Sequence, residues 1–118
     1  QMRPEVDRAL YPALADDPGH ALWKRDFSGA SGLFGVVLKD CPKKAVAAML
    51  DGMELFAMGD SWGGYESLLQ PQYLNKYRTV TPRPKDEGAI LRLQIGLEDP
   101  DDLIADLEQA LKVFNKEK

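Results

Sequence analysis

The chain has 118 residues, 44% hydrophobic and 29% charged, enough for one globular domain with a core of its own. Its 15 basic and 19 acidic residues leave a net charge of −4 with no basic run, which argues against a nucleic-acid partner. Its apolar runs fall far short of a membrane span, no apolar leader follows Gln1-Met2-Arg3-Pro4, and its one cysteine, Cys41, excludes an internal disulfide. Together these point to a reducing, cytoplasmic setting. A start at Gln rather than Met suggests a fragment, a trimmed chain or a cleaved one.

Val6 to Tyr11 reads as a short strand stopped by Pro12, and Asp16-Asp17-Pro18-Gly19 is a turn cluster. His20 to Phe27 then reads as a short helix with Leu22, Trp23 and Phe27 on one face. His20 is the only histidine. No ligand-type residues stand beside it at metal-binding spacing, so no metal site is expected. Ser28-Gly29-Ala30-Ser31-Gly32 is a small-residue loop without the GxxxxGK[ST] pattern of a phosphate-binding loop. Leu33 to Leu38 reads as a strand. Both of its alternating sets are apolar or small, so burial on both faces is expected. Asp40-Cys41-Pro42 opens a helix carrying Ala45, Val46, Met49 and Leu50 on one side, closed by Asp51-Gly52. Cys41 stands at that helix entry, where a thiol can be activated, but it has no base near it in sequence and reads as a packing residue.

Leu55 to Met58 reads as a strand running into Gly59-Asp60-Ser61-Trp62-Gly63-Gly64-Tyr65-Glu66-Ser67-Leu68. Three glycines in six residues require positive φ or a close backbone approach. Two readings stand for this stretch. One is a tight turn with Trp62 folded back onto the core. The other is a site, in which Ser61 offers a hydroxyl, Trp62 a wall and the glycines expose backbone N–H groups. Glu66 to Leu69 is a further extended piece ended by Pro71, and Tyr73 to Glu87, broken by Pro82 and Pro84, reads as a surface loop.

Ile90 to Gly96 is the clearest strand, with Leu91, Leu93 and Ile95 on one face and Ile90, Arg92 and Gln94 on the other. Arg92 is a charge in mid-strand. It is either a surface residue with a buried stem or a two-pronged donor for a carboxylate or phosphate. Asp99-Pro100-Asp101-Asp102 starts the last helix with an N-cap, a first-turn proline and acidic residues at the positive pole. Leu103, Ile104, Leu107, Ala110, Leu111 and Phe114 form its apolar stripe, and Lys112, Lys116 and Lys118 lie toward its negative pole. The whole reads as an α+β two-layer domain, a small mixed or antiparallel sheet covered by helices.

Five stretches carry a resemblance that spans Val6 to Leu111. They are Ala9-Leu10-Tyr11-Pro12, the run from Pro18 to Phe27, Gly29 to Phe34, Ser61 to Leu68, and Leu91 to Leu103. They resemble the C-terminal part of the cystathionine β-lyases, within the pyridoxal-phosphate enzymes of cysteine and methionine metabolism that share the aspartate-aminotransferase fold type. Trp62 sharpens the likeness, because the γ-acting relatives typically resemble SLGG at that point. The resemblance implies that residues 1–118 are one small C-terminal domain. Its partners would be the large pyridoxal-phosphate-binding domain of the same enzyme, a small amino-acid substrate, and further copies in a homo-oligomer. It implies that Arg92 forks the substrate α-carboxylate, that Ser61 lies near the cofactor-bearing lysine, that the Ser61–Trp62 backbone helps hold the carboxylate, and that Trp62 walls the pocket. The Schiff-base lysine of such enzymes lies in the large domain. Asn75-Lys76-Tyr77 does not carry its serine-rich setting, so no catalytic or cofactor-binding residue is expected in this chain, and no pyridoxal phosphate on the chain alone. The whole enzyme would cleave cystathionine to homocysteine, pyruvate and ammonia. The competing expectation is a separate, non-catalytic binding module that has kept the fold.

Overall fold

Four runs of alternating side chains pair into one antiparallel sheet in the computed structural model, which describes residues 2–83 and 87–118. The strands are β1 (Val6–Leu10), β2 (Leu33–Leu38), β3 (Leu68–Gln72) and β4 (Ile90–Gln94), in the order β1-β2-β4-β3. The helices are α1 (His20–Asp26), α2 (Lys43–Asp51) and α3 (Pro100–Glu117), with a 3-10 turn at Leu74–Lys76. The α+β expectation holds, and of the mixed and antiparallel alternatives the sheet is antiparallel throughout.

The register sorts the side chains. Phe34 stands opposite Leu93 and Val36 opposite Leu91, while Leu69 stands opposite Leu93 on the other flank of β4. This row faces α2 and α3 and joins Met49, Ala110 and Phe114 in the core. The alternate row sets Gly35 and Gln70 on either side of Arg92, and Leu33 and Leu68 on either side of Gln94. The expected burial of β2 on both faces holds only at its end: Val37 and Leu38, one on each face, are buried, but Leu33 to Val36 are only half-buried. The helix α1 likewise buries none of its residues, and Leu22 and Phe27 stay exposed. It is held locally instead. Trp23 Nε1 donates to Gly29 O, the His20 and Trp23 rings lie 5.4 Å apart, and His20 Nδ1 meets the Pro12 carbonyl at 2.9 Å. A carbonyl can only accept, so His20 is a structural donor. Among the described residues no group of His, Cys, Asp or Glu could hold a metal ion.

Three further expectations are corrected. Leu55 to Met58 is not a strand; Ala57 alone makes a bridge, to Leu68. The donors of this segment go elsewhere: the N–H groups of Glu54, Leu55 and Phe56 all point to the Asp106 carboxylate, at 2.9, 2.8 and 3.1 Å. Pro71 does not end the extended piece but sits inside β3, opposite Leu91. An edge strand pairs on one side only and tolerates a residue without an N–H. On α3 the Asp99 side chain accepts from Asp101 N, as the capping pattern requires. The buried set, however, is Leu103, Asp106, Ala110 and Phe114, while Ile104 is 53% exposed. Of the expected surface loop from Tyr73 to Glu87, Pro84 lies outside the described residues.

Burial pushes the Asp106 carboxyl up, but the N–H groups of Glu54, Leu55 and Phe56 and the Gln109 amide outweigh it and hold the group below its ordinary value. Asp106→Ala leaves three backbone donors unanswered, at about 1–3 kcal/mol for a buried unsatisfied group. A urea midpoint lowered accordingly is the expected result at neutral pH. Because the folded carboxyl titrates lower than the unfolded one, its contribution is present above the unfolded pKa and lost as pH falls through the folded one. The gap between wild type and variant therefore closes below about pH 4, and denaturation curves at pH 7 and pH 3 check this.

Candidate functional site

The period of two along β4 places Arg92 and Gln94 on the same outward row, under the loop from Gly59 to Glu66. Arg92 Nη2 donates to the carbonyls of Asp60 at 2.7 Å and Gly59 at 3.3 Å. Gln94 Oε1 accepts from Gly63 N at 2.9 Å, and its Nε2 donates to Gly64 O at 3.1 Å and Ile95 O at 2.8 Å. One step on, Leu97 N donates to Tyr65 O at 2.9 Å. The last tie is at Ser67, whose backbone N and Oγ both donate to the Glu98 carboxylate, at 2.9 and 2.7 Å, while Oγ accepts from Gly96 N at 2.8 Å. The loop is thus laced to β4 and to the turn after it, link by link.

Two glycines are obligatory here. Gly63 has φ +76°, which L side chains avoid. At Gly96 a Cβ would fall 2.2 Å from Tyr65 O, inside the backbone of the loop itself. The loop backbone can lie against residue 96 only because nothing projects from it.

Ser61 is exposed and Trp62 is 64% exposed, so Trp62 is not folded onto the core and the packed-turn alternative does not hold. Arg92 is half-buried, and among the described residues its Nε and Nη1 make no hydrogen bond. The structure therefore brings Arg92 to the entrance of the loop that carries Ser61 and Trp62, with part of its guanidinium uncommitted. Gln94, Ser67 and Glu98 were not singled out from sequence. For Gln94 the signal was present, since it shares a strand face with Arg92. Ser67 and Glu98 are joined across 31 positions and left none. The Ser67 hydroxyl, then the Ser67 backbone N–H, hold the Glu98 carboxyl below its ordinary value. Elsewhere, burial pushes the Cys41 thiol up, in keeping with a packing role. The Lys76 ammonium lies 5.3 Å from the centre of the Tyr73 ring.

A four-stranded antiparallel sheet with helices on one face, and on the other an arginine of the central strand β4 under a glycine-rich loop, defines a small α+β domain. The chain belongs to the Cys/Met metabolism PLP-dependent enzyme family, whose family model matches residues 1–112. It is 53% identical over 111 residues to a putative cystathionine β-lyase of Rhizobium johnstonii, covering 91% of this chain and 28% of that protein. It is 49% identical over 113 residues to the cystathionine β-lyase MetC of Escherichia coli, covering 89% of this chain and 27% of that one. The chain thus spans little more than a quarter of the length of these relatives. In structure it is similar to a cystathionine γ-synthase from Xanthomonas oryzae pv. oryzae, with a TM-score of 0.81 at 30% identity, over 99% of this chain and 31% of that one. The groups that converge at the loop are a guanidinium, an amide, a hydroxyl and a carboxylate, with no lysine among them. The Gln94 amide, the Ser67 hydroxyl and the Glu98 carboxylate are taken up within the domain, which leaves Nε and Nη1 of Arg92 as donors and no amine for covalent attachment of pyridoxal phosphate.

Ser67→Ala removes the hydroxyl that lowers Glu98. The Glu98 pKa is then expected to rise toward the ordinary glutamate value, followed by NMR titration of its side-chain carboxyl. A Glu98 midpoint unchanged by the substitution would show that the Ser67 hydroxyl does not hold it.

Proposed function

We propose that this chain is the C-terminal small domain of a cystathionine β-lyase-like enzyme, and that it supplies the carboxylate-binding side of the active site. Arg92 takes the α-carboxylate of a thioether amino acid, the Ser61–Trp62 backbone adds N–H donors, and Trp62 walls the rest of the substrate. The observation that carries this reading is the Arg92 guanidinium. One of its nitrogens is tied to the loop carbonyls while Nε and Nη1 remain for a ligand. Nε–H and the Nη1 hydrogens leave the guanidinium on different sides, so a two-pronged grip on a carboxylate pairs either of them with Nη2, which it would share with the loop carbonyls, a planar geometry that a point charge does not offer. Family membership and the names of the two β-lyase relatives agree with it.

In the whole protein, pyridoxal phosphate supplies the electron sink for breaking the C–S bond of cystathionine, giving homocysteine, pyruvate and ammonia. The lysine that holds it belongs to a large domain outside this chain. The residues here orient the substrate against that domain and shut water from the carboxylate. Support for a covering partner comes from the apolar side chains left outside around the loop, Trp62, Tyr65 and Leu97. A second open place is the apolar hollow of about 220 Å³ between the sheet and α3, lined by Phe34, Val36, Ile104 and Leu107.

In the full-length enzyme, Arg92→Lys is expected to raise KM for the thioether substrate about tenfold to a hundredfold, since charge-assisted hydrogen bonds contribute roughly 1.5–3 kcal/mol. A KM within twofold of wild type would reject Arg92 as the carboxylate fork. The isolated chain, treated with pyridoxal phosphate and then borohydride, is expected to show no added mass by intact-protein mass spectrometry at stoichiometric cofactor. A specific adduct mapped to Lys76 would overturn the placement of the anchoring lysine outside the chain.

A further inference from the structure

Gln94 is an amide buried in the middle of the sheet, only 4% exposed. A polar group there is tolerated when its hydrogen bonds are made, and all three are made in one direction. Oε1 takes the Gly63 N–H, and the two Nε2 hydrogens go to Gly64 O and Ile95 O. Turning the amide over would set Nε2 against an N–H and Oε1 against two carbonyls, so its orientation is determined by its surroundings. Ile95 directly follows β4, and Gly63 and Gly64 belong to the loop. The side chain is therefore a rigid tie between strand and loop.

The loop has a second tie two residues back on the same row, where Arg92 holds the carbonyls of Gly59 and Asp60. Ser61 and Trp62 are the two residues between these ties. The two residues that make the ties stand at a spacing of two strand positions, about 6.6–6.8 Å along β4. Four loop residues span it, and Gly63 closes the span at positive φ. Neither Ser61 nor Trp62 is held by burial, since both are exposed. Their peptide is located by its two neighbours, and one of those is Gln94.

We propose that Gln94 is a positioning residue: it sets the Ser61–Trp62 peptide against the Arg92 guanidinium, and so sets the preference of the site for a free α-carboxylate. The inference rests on the reading of Arg92 as the carboxylate fork. Gln94 itself does not touch the substrate. A Gln94 that only stabilised the fold would, when replaced, weaken all ligands alike. A Gln94 that positions the peptide selects against loss of the carboxylate in particular.

The test uses the full-length holoenzyme and two competing ligands, S-ethyl-L-cysteine and its primary amide, which differ only at the carboxyl group. The quantity read is the ratio of their inhibition constants. Gln94→Met keeps the side-chain length and removes all three hydrogen bonds. It is expected to lower the preference for the acid at least tenfold. Gly63→Ala strains the same turn from the loop side and leaves β4 untouched, and it is expected to lower the preference in the same sense. It decides the matter should Gln94→Met not fold. If the two ligands weaken equally, or the ratio stays as in wild type, Gln94 is a structural residue only and the inference is overturned. Arg92→Lys separates the two levels. A ratio unmoved by Arg92→Lys overturns the fork and this inference with it. A ratio lowered by Arg92→Lys but not by Gln94→Met or Gly63→Ala overturns the positioning role alone.

Discussion

β4 is hydrogen-bonded along both edges, to β2 on one side and β3 on the other, and every other feature of the domain is referred to it. Its two rows have different tasks. Leu91 and Leu93 enter the core under α2 and α3, and Arg92 and Gln94 stand on the opposite face under the glycine loop. A shift of one residue in its register would put the guanidinium into the core and a leucine under the loop. The burial of an unpaired charge is costly enough to exclude that alternative. The same alternation that packs the sheet thus aims the site.

The other end of the loop segment is fixed from a different quarter. Asp106 on α3 gathers the N–H groups of three successive residues just before the loop, and Gln109 closes on the same carboxylate. A carboxylate that receives several N–H donors offsets its own burial and gives a directional anchor. The helix that covers the core therefore also delivers the chain to the loop, and β4 receives it. Ser67 and Glu98 complete the exit, where Gly96 permits the backbones to approach. Core and site share these anchors.

The surface is uneven in a way that follows from the layer order. One sheet face carries both packed helices and buries Phe114 and Met49 completely or nearly so. Among the described residues no helix buries a side chain against the other face, and α1 stands off with Leu22 outside. Exposed aromatic side chains stand in the loop that lies over Arg92, at Trp62 and Tyr65, and this distribution is the ground for the covering partner proposed above.

Much was legible in the chain by itself. Period-two alternation located β2 and β4 and assigned Arg92 to the face away from the core. Asp99-Pro100 located the start of α3, and paired glycines marked the loop that carries Ser61 and Trp62. These are local signals, because backbone conformation and side-chain direction are set over a few residues. What the alternation of β2 did not carry was how far along the strand it would be covered: both of its faces are buried only at Val37 and Leu38 and half-buried before them. Leu55 to Met58 had the composition of a strand, but Asp106, fifty positions away, takes the N–H groups of this segment. Asp106, Gln94 and Ser67 carried no sequence signal of the contacts they make. Their partners across the fold lie 29 to 52 positions distant, and hydrogen bonds of that reach are decided by packing, which no local pattern records.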